Sequence, residues 1–410
     1  MEQAVGIRAS RAATTTGLVL AIHLVRYAGP LIYVPLVLRV LDVGEAGAFF
    51  RLQSFGLLLA LLIEFGLSGT ALRDWMRQDG PSARSRLFND LHAERLGNAL
   101  ILALVCAGLF AAGALSKADL LVALPLAVAS AFNMSWYFMA SGRPLAGSGL
   151  EALGQLLGFA ALIAIMLATR SGAAAAAGLV LGQAVNIAVG IVAARHDGIL
   201  PRLGLRLRVA DKLAQAPMFI VRVGTLLTSA GAPWAVATLG GVASAGFYGP
   251  PARLFGAVAT TLSPIADVVL PLITRQVRSV ERRNILLVAA AAALPGAAIG
   301  AALWLMAGPV ATFLSGDHWA ETVPVVRALA FSVPFVFVLQ ALSLFVLVPA
   351  GREGLAAAAI AVGAVLFVTL TWAGPTAVGA AWAKVAADGA AAAIMLALAV
   401  WAGGRRPADA

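Results

Sequence analysis

The chain has 410 residues, of which 61% are hydrophobic and only 12% charged, with a mean hydropathy of +0.92 and a net charge of +10. An ordinary soluble domain carries about 25% charged residues, so this chain lacks the polar surface to face water and is expected to have the membrane as its main solvent. Its basic excess does not point to nucleic acid, because the arginines gather in short loops between apolar runs instead of forming a stripe on one soluble face.

The first residues, MEQAVGIRASRAATTTG, contain arginines but run directly into a long apolar stretch with no small-residue cleavage pattern, so the first span is expected to be retained. Cuts at charged or Gly/Pro-marked breaks predict spans near 17–40, 46–72, 96–115, 120–140, 150–169 and 175–194. The polar stretch ARHDGILPRLGLRLRVADKLAQ follows, and then a second set near 216–239, 245–272, 285–307, 324–348, 355–373 and 376–402. Each run is long enough to cross about 30 Å of hydrocarbon as a helix. The expectation is an all-α integral membrane protein of about 12 transmembrane helices in two pseudo-symmetric six-helix bundles, residues 1–194 and 216–410. Residues 195–215 form a cytoplasmic linker.

With the N-terminus inside, nearly every basic residue outside the spans falls in an inside loop, among them Arg84, Arg86, Arg95, Arg143, Arg202, Arg206 and Lys212; only Lys117 and Arg170 fall outside. This bias places both termini in the cytoplasm. A weak internal repeat accompanies the layout: VGEAGAF at 43–49 matches VASAGFY at 242–248 at three of seven positions.

An ionised side chain at the bilayer centre costs about 2.5 kcal/mol or more, so those kept inside spans normally face a wet cavity or a partner. The spans hold Arg26, Arg39, Arg51, Arg222, Arg253, Arg327 and Lys384 against Glu64, Glu151, Asp267 and Asp388. Cations exceed acids and are spread through the bilayer depth. Guanidinium forks suit phosphate and pyrophosphate oxygens, so the pattern points to a passage for an anionic cargo. Snorkelling to the headgroups is the competing account for Arg39, Arg51 and Arg327, and an intrahelical ion pair is the simpler account for Lys384 and Asp388.

In the first span His23, Arg26, Tyr27 and Pro30 share a face, as Arg222, Thr225, Ser229 and Pro233 do in the seventh. The eighth carries Arg253, Thr260, Thr261, Pro264 and Asp267; Asp267 and Glu64 are candidates for binding a coupling ion, or structural partners of arginines. Asn133, Trp136 and Tyr137 in the fourth span, and Gln183 and Asn186 in the sixth, suit sugar hydroxyls, interhelical hydrogen bonds or interfacial anchoring equally. Pro125, Pro233, Pro264, Pro271, Pro295 and Pro334 are expected to interrupt spans. No phosphate loop, zinc-protease motif or large soluble loop is present, and neither cofactor nor metal is implied.

Two segments carry a family resemblance. YVPLVLRVLDVGEAGAFFRLQSFGLLLALLIEFGLSGTALRD, residues 33–74, has an apolar helix, a Gly-containing turn before an aromatic pair and an acid-Phe-Gly near the end of the second helix. FYGPPARLFGAVATTLSPIADVVLPLITRQ, residues 247–276, has an aromatic-led start, a mid-helix arginine and a Pro-x-x-[ST]-[RK] exit. Both resemble the multidrug/oligosaccharidyl-lipid/polysaccharide exporter superfamily, in its polysaccharide-transporter branch of Wzx-type flippases. That resemblance implies a MATE-like fold around a cationic cavity open alternately to each side, with Arg26, Arg51, Arg222 and Arg253 as cavity cations. It implies a lipid-linked oligosaccharide as cargo in an inner membrane, with a polysaccharide polymerase and a chain-length regulator as partner proteins. The alternative within the superfamily is a cation-coupled multidrug or small-solute antiporter, which would lean on acids such as Asp267 and Glu64.

Overall fold

The computed structural model describes residues 29–78, 80–206, 209–259, 282–315 and 320–403, together with Leu18 and Ile22. All secondary structure among these residues is helical. The contacts divide the chain into one unit of residues 1–40 and 55–213 and another of residues 41–54 and 214–410. Among the described residues eight helices are long and apolar enough to cross a membrane, or up to ten if each of two bent helix pairs is one span. Two predicted spans are described only in part, as Gly29–Val40 and Val242–Ala259. The chain is a multi-pass membrane protein.

In the first unit, helix α1 (Gly29–Val40) precedes α2 (Val43–Glu64), α3 (Leu67–Met76) and α4 (Pro81–Ala111). The predicted span 46–72 is broken between α2 and α3, where Phe65 and Gly66 take left-handed φ angles of 44° and 80°. Asn98 of α4 donates to the Ile63 carbonyl at 2.9 Å and accepts from Lys212, and the Lys212 ammonium also lies 5.5 Å from the Phe65 ring centre. The break is thus held by a side-chain chain of hydrogen bonds.

Helix α4 corrects the predicted span 96–115. It starts at Pro81, so residues 81–95, which the charges marked as an inside loop, are helical, Arg84, Arg86 and Arg95 among them. At 1.5 Å per residue this helix is longer than the hydrocarbon is thick, and its first half buries Phe88, Leu91, Glu94, Arg95 and Asn98 against protein.

The predicted span 120–140 opens with a π turn at Asp119–Ala123, continues as α5 (Leu124–Ala131), breaks, and resumes as α6 (Ser135–Ala140). Pro125 sits in the first turn of α5, where its missing N–H costs nothing. At the break the Met134 N–H donates to Asn186 Oδ1 at 2.9 Å, and Asn186 is buried. Asn186 thus makes an interhelical hydrogen bond, one of the readings its sequence position allowed. Replacing Asn186 with Leu is expected to cost about 1–3 kcal/mol by orphaning that amide, measurable as an earlier thermal unfolding midpoint in detergent.

Helices α7 (Pro144–Thr169) and α8 (Gly172–His196) form a hairpin through glycines. A Cβ added at Gly182 would lie 2.0 Å from the Gly154 carbonyl oxygen, so the two backbones touch. This is why the Ala/Gly-rich sixth span has few polar side chains: small residues let membrane helices associate by close packing.

The second unit takes the first part of α2, then α9 (Val209–Thr228), α10 (Ala232–Gly240), α11 (Val242–Ala259), α12 (Arg282–Leu305), α13 (Ala307–Ser315), α14 (Thr322–Ala330), α15 (Val333–Leu342) with a π turn to Leu347, α16 (Glu353–Ala373) and α17 (Ala377–Gly403). Phe219–Thr228 and Ala232–Gly240 meet at 58°, and Thr322–Ala330 and Val333–Leu347 at 41°. Pro233 and Pro334 lie in the first turns after these bends, as expected, whereas Pro295 sits inside an unbroken α12. Tyr248, Phe255, Leu329, Phe337 and Phe367 centre the core, with alanines filling the rest.

Candidate functional site

Of the residues singled out from sequence, His23, Arg26, Tyr27 and Asp267 lie outside the described residues, as do Thr260, Thr261, Pro264 and Pro271. Arg51, Glu64, Arg222 and Arg253 are described, and all four are half-buried.

Arg51 and Ser54 stand three residues apart on one face of α2. The Arg253 guanidinium, from α11, donates to Ser54 Oγ at 3.2 Å, so the structure brings Arg253 to the face of α2 that carries Arg51. The contact belongs to a symmetric crossing. A Cβ on Gly47 would lie 2.0 Å from the Val242 carbonyl oxygen, and one on Gly246 would lie 2.4 Å from the Val43 carbonyl oxygen. One on Gly249 would strike the Phe50 ring. In the VGEAGAF/VASAGFY alignment Val43 matches Val242 and Gly47 matches Gly246, and the same spacing carried beyond the seven aligned residues sets Phe50 opposite Gly249 and Ser54 opposite Arg253. Each contact therefore joins a residue to its repeat-mate or is repeated with the two partners exchanged, which is what a local two-fold axis between α2 and α11 requires. Arg253 and Ser54 meet at this crossing.

The remaining intramembrane cations separate by environment. Arg39 and Arg327 are exposed, and Arg327 lies 5.5 Å from the centre of the Trp304 ring, in keeping with the snorkelling account. Lys384 and Asp388 form the intrahelical pair expected from their spacing, at 2.8 Å, both buried. Ser332 donates to the same Asp388 oxygen, and the Lys384 ammonium lies 4.9 Å from the Phe255 ring centre. A pair so enclosed is a structural fixture of α17. Lys384→Met alone is expected to destabilise by about 3–5 kcal/mol through the stranded carboxylate, whereas Lys384→Met with Asp388→Leu should recover most of the loss; thermal unfolding of the three proteins in detergent would show it.

The first unit contains a polar cluster that the inside-loop assignment concealed. Arg95 is only 1% exposed, with its guanidinium 5.9 Å from the Trp136 ring centre and close enough to Glu64 for electrostatic interaction. Its sequence signal was the helical spacing of Phe88, Leu91, Arg95 and Asn98, which extends the buried face of α4 upstream of residue 96. Trp136 and Tyr137, considered from sequence as sugar contacts, are instead buried with Trp75 and Phe88. Tyr137 and Arg143 both donate to Asp197 Oδ2, tying the ends of α6 and α8 and the start of α7. Partial burial pushes the Asp197 carboxyl up, but the hydrogen bonds from Tyr137 and Arg143 and the Arg143 charge hold it below its ordinary 3.8. A carboxylate lowered on folding stabilises the fold above that value, and the contribution disappears as pH falls through the lowered one.

The 197–206 stretch of the predicted linker is strapped to α4. Asn89 donates to the Leu200 carbonyl at 3.1 Å and accepts from the Arg202 N–H at 2.7 Å; the Arg206 N–H donates to the Ala93 carbonyl, and its guanidinium pairs with Asp90 at 2.5 Å. No group of three or more His, Cys, Asp or Glu side chains placed to hold a metal occurs among the described residues.

No family model matches the sequence, and no curated protein matches it. Solved structures do. A lipid II flippase MurJ in an inward closed conformation superposes with a TM-score of 0.70 at 11% identity, over 93% of this chain and 87% of that one. An inward-facing multidrug resistance MATE family transporter of the MOP superfamily gives 0.62 at 14% identity, over 96% of this chain and 100% of that one. A MATE crystal structure in complex with MaL6 gives 0.51 at 13% identity, over 95% and 96%. The chain has the MATE/MurJ-type fold, the architecture its sequence resemblance implied.

Proposed function

We propose that this chain is a flippase that carries an undecaprenyl-pyrophosphate-linked oligosaccharide, an O-antigen or exopolysaccharide repeat unit, across the bacterial inner membrane. Translocation proceeds by alternating access of residues 1–194 and 216–410 around a cationic cavity, with the 195–215 linker and both termini cytoplasmic and with no covalent chemistry. The observation that carries this reading is Arg253, a half-buried cation hydrogen-bonded to Ser54 at the α2/α11 crossing, on the face of α2 that bears Arg51. A guanidinium so placed offers paired donors to a pyrophosphate wherever the cavity opens. His23, Arg26, Tyr27 and Arg222 are the further residues assigned to cargo binding in this reading, and Glu64 and Asp267 are the acids available to a coupling ion. A polysaccharide polymerase and a chain-length regulator would receive the product.

The test is genetic and biochemical together. Deleting the gene should abolish surface glycan, with lipid-linked repeat units accumulating on the cytoplasmic side, and the intact chain should restore display. A second reading has one observation in its favour, the 0.70 superposition on a flippase named for lipid II: the cargo would then be a cell-wall precursor on the same type of anchor. Depletion decides between them, since lysis with unaltered surface glycan would indicate the precursor. Restoration of drug resistance in a pump-deficient host would support the antiporter instead.

A further inference from the structure

In the first unit a cavity of about 370 Å³ is lined by Trp75, Pro81, Arg84, Tyr137, Arg143 and Asp197, with Ile199 and small residues completing it. Trp75, Tyr137 and Ile199 are buried, and Trp75 packs edge-on against Tyr137 at 5.5 Å between ring centres. Both arginines lie over aromatic rings, Arg84 at 5.8 Å from the Trp75 centre and Arg143 at 5.6 Å from that of Tyr137, so the places where an external cation would bind are already filled. The Asp197 charge is taken up by Arg143 and Tyr137. Arg84 is exposed and has no carboxylate partner among the described residues. The cavity is therefore net cationic, with one guanidinium uncommitted.

Its surroundings specify the source of an anion. The adjoining helix ends and the 197–206 strap carry Arg86, Arg195, Arg202 and Arg206, which marks this end as cytoplasmic. Interleaved with those cations are exposed apolar residues: Met76 beside Trp75, and Leu200, Leu203 and Leu205 on the strap, Leu203 being 96% exposed. A segment that alternates leucine with arginine and is pinned to α4 is suited to the boundary between headgroups and acyl chains, as are Trp75 and Tyr137.

We propose that this cavity binds the phosphate of an anionic phospholipid from the cytoplasmic leaflet, Arg84 and Arg143 meeting the phosphate while the acyl chains lie along the exposed leucines. Basic pockets between helices on the cytoplasmic side have this chemistry. Lipid binding here does not depend on what the chain transports. Bound lipid would join α3, α4 and the start of α7 at the same end that the Asp197 tie holds together.

The test is native mass spectrometry of the purified full chain in detergent, titrated with phosphatidylglycerol or with phosphatidylcholine. Phosphatidylglycerol should remain bound and phosphatidylcholine should not. Arg84→Gln should weaken phosphatidylglycerol binding about fivefold, the equivalent of one cation near an anionic surface. Arg86→Gln, an identical charge change on the same helix outside the cavity, should leave binding unaltered. Equal loss in both variants would reduce the effect to overall charge and overturn the site, as would equal retention of the two lipids. Full displacement of phosphatidylglycerol by millimolar inorganic phosphate would assign the cavity to a free phosphate and overturn the lipid.

Discussion

Arg253→Ala is expected to lower glycan export about tenfold to a hundredfold, with the protein still present in the membrane at normal level. The magnitude follows from the loss of one charge-assisted hydrogen-bond donor pair to a phosphate group, about 1.5–3 kcal/mol. Arg222→Ala should act in the same direction, and the double variant should be silent in surface-glycan staining. Arg253→Lys keeps the charge and loses the fork, so it should fall between Arg253 and Ala. Ser54→Ala removes only a neutral partner of Arg253 and should cost a fewfold loss. Arg327→Ala is the control: this arginine is exposed over Trp304, and its removal should leave export unchanged. Normal glycan display with both Arg222 and Arg253 replaced would remove the basis for a cationic passage.

A second large effect is expected at the α2/α11 crossing. Gly47→Ala would place a methyl group 2.0 Å from the Val242 carbonyl oxygen, and Gly246→Ala one 2.4 Å from that of Val43. The obstructing atoms are backbone in both cases, so no rotamer change relieves the clash and the helices must separate. Each substitution should destabilise by about 3 kcal/mol and lower the unfolding midpoint in detergent. Gly256 lies on the same helix α11 with nothing within 4 Å of an added Cβ. Gly256→Ala should therefore be neutral or stabilising by up to about 1 kcal/mol, because alanine is the better helix former. Equal tolerance at Gly47, Gly246 and Gly256 would mean that the close crossing does not persist in the membrane. Because the two contacts exchange partners under the repeat, Gly47→Ala and Gly246→Ala should have similar effects, a stronger statement than either alone.

Apolar runs of membrane-spanning length were legible because the bilayer imposes them residue by residue: a backbone in hydrocarbon must hydrogen-bond within itself, so composition alone marks where helices cross. The Lys384–Asp388 pair was legible for a similar reason, since both partners sit on one helix turn and their spacing is a local property. The start of α4 was misplaced because charge was taken as a sign of solvent. Arg95 is charged and buried, and it is held beside the Trp136 ring of α6 and within electrostatic reach of Glu64, contacts that its position in the chain does not announce. Likewise Asn186 gave no sign that it completes a break in another span 52 residues away.

Sequence by itself determined that this is a helical membrane protein, where most of its spans lie, and that more cations than acids are kept within them. It also contained the VGEAGAF/VASAGFY match, but three identities in seven positions carry no geometry. Tertiary structure alone decided that Gly47 and Gly246 are the points where two backbones cross, that Arg253 meets its repeat-mate Ser54 there, and that Arg84, Arg143 and Asp197 surround one cavity. The physical reason is that membrane insertion depends on transfer free energies that add along the chain, whereas a cavity or a crossing depends on which distant residues touch. That is set by the shape complementarity of whole helices.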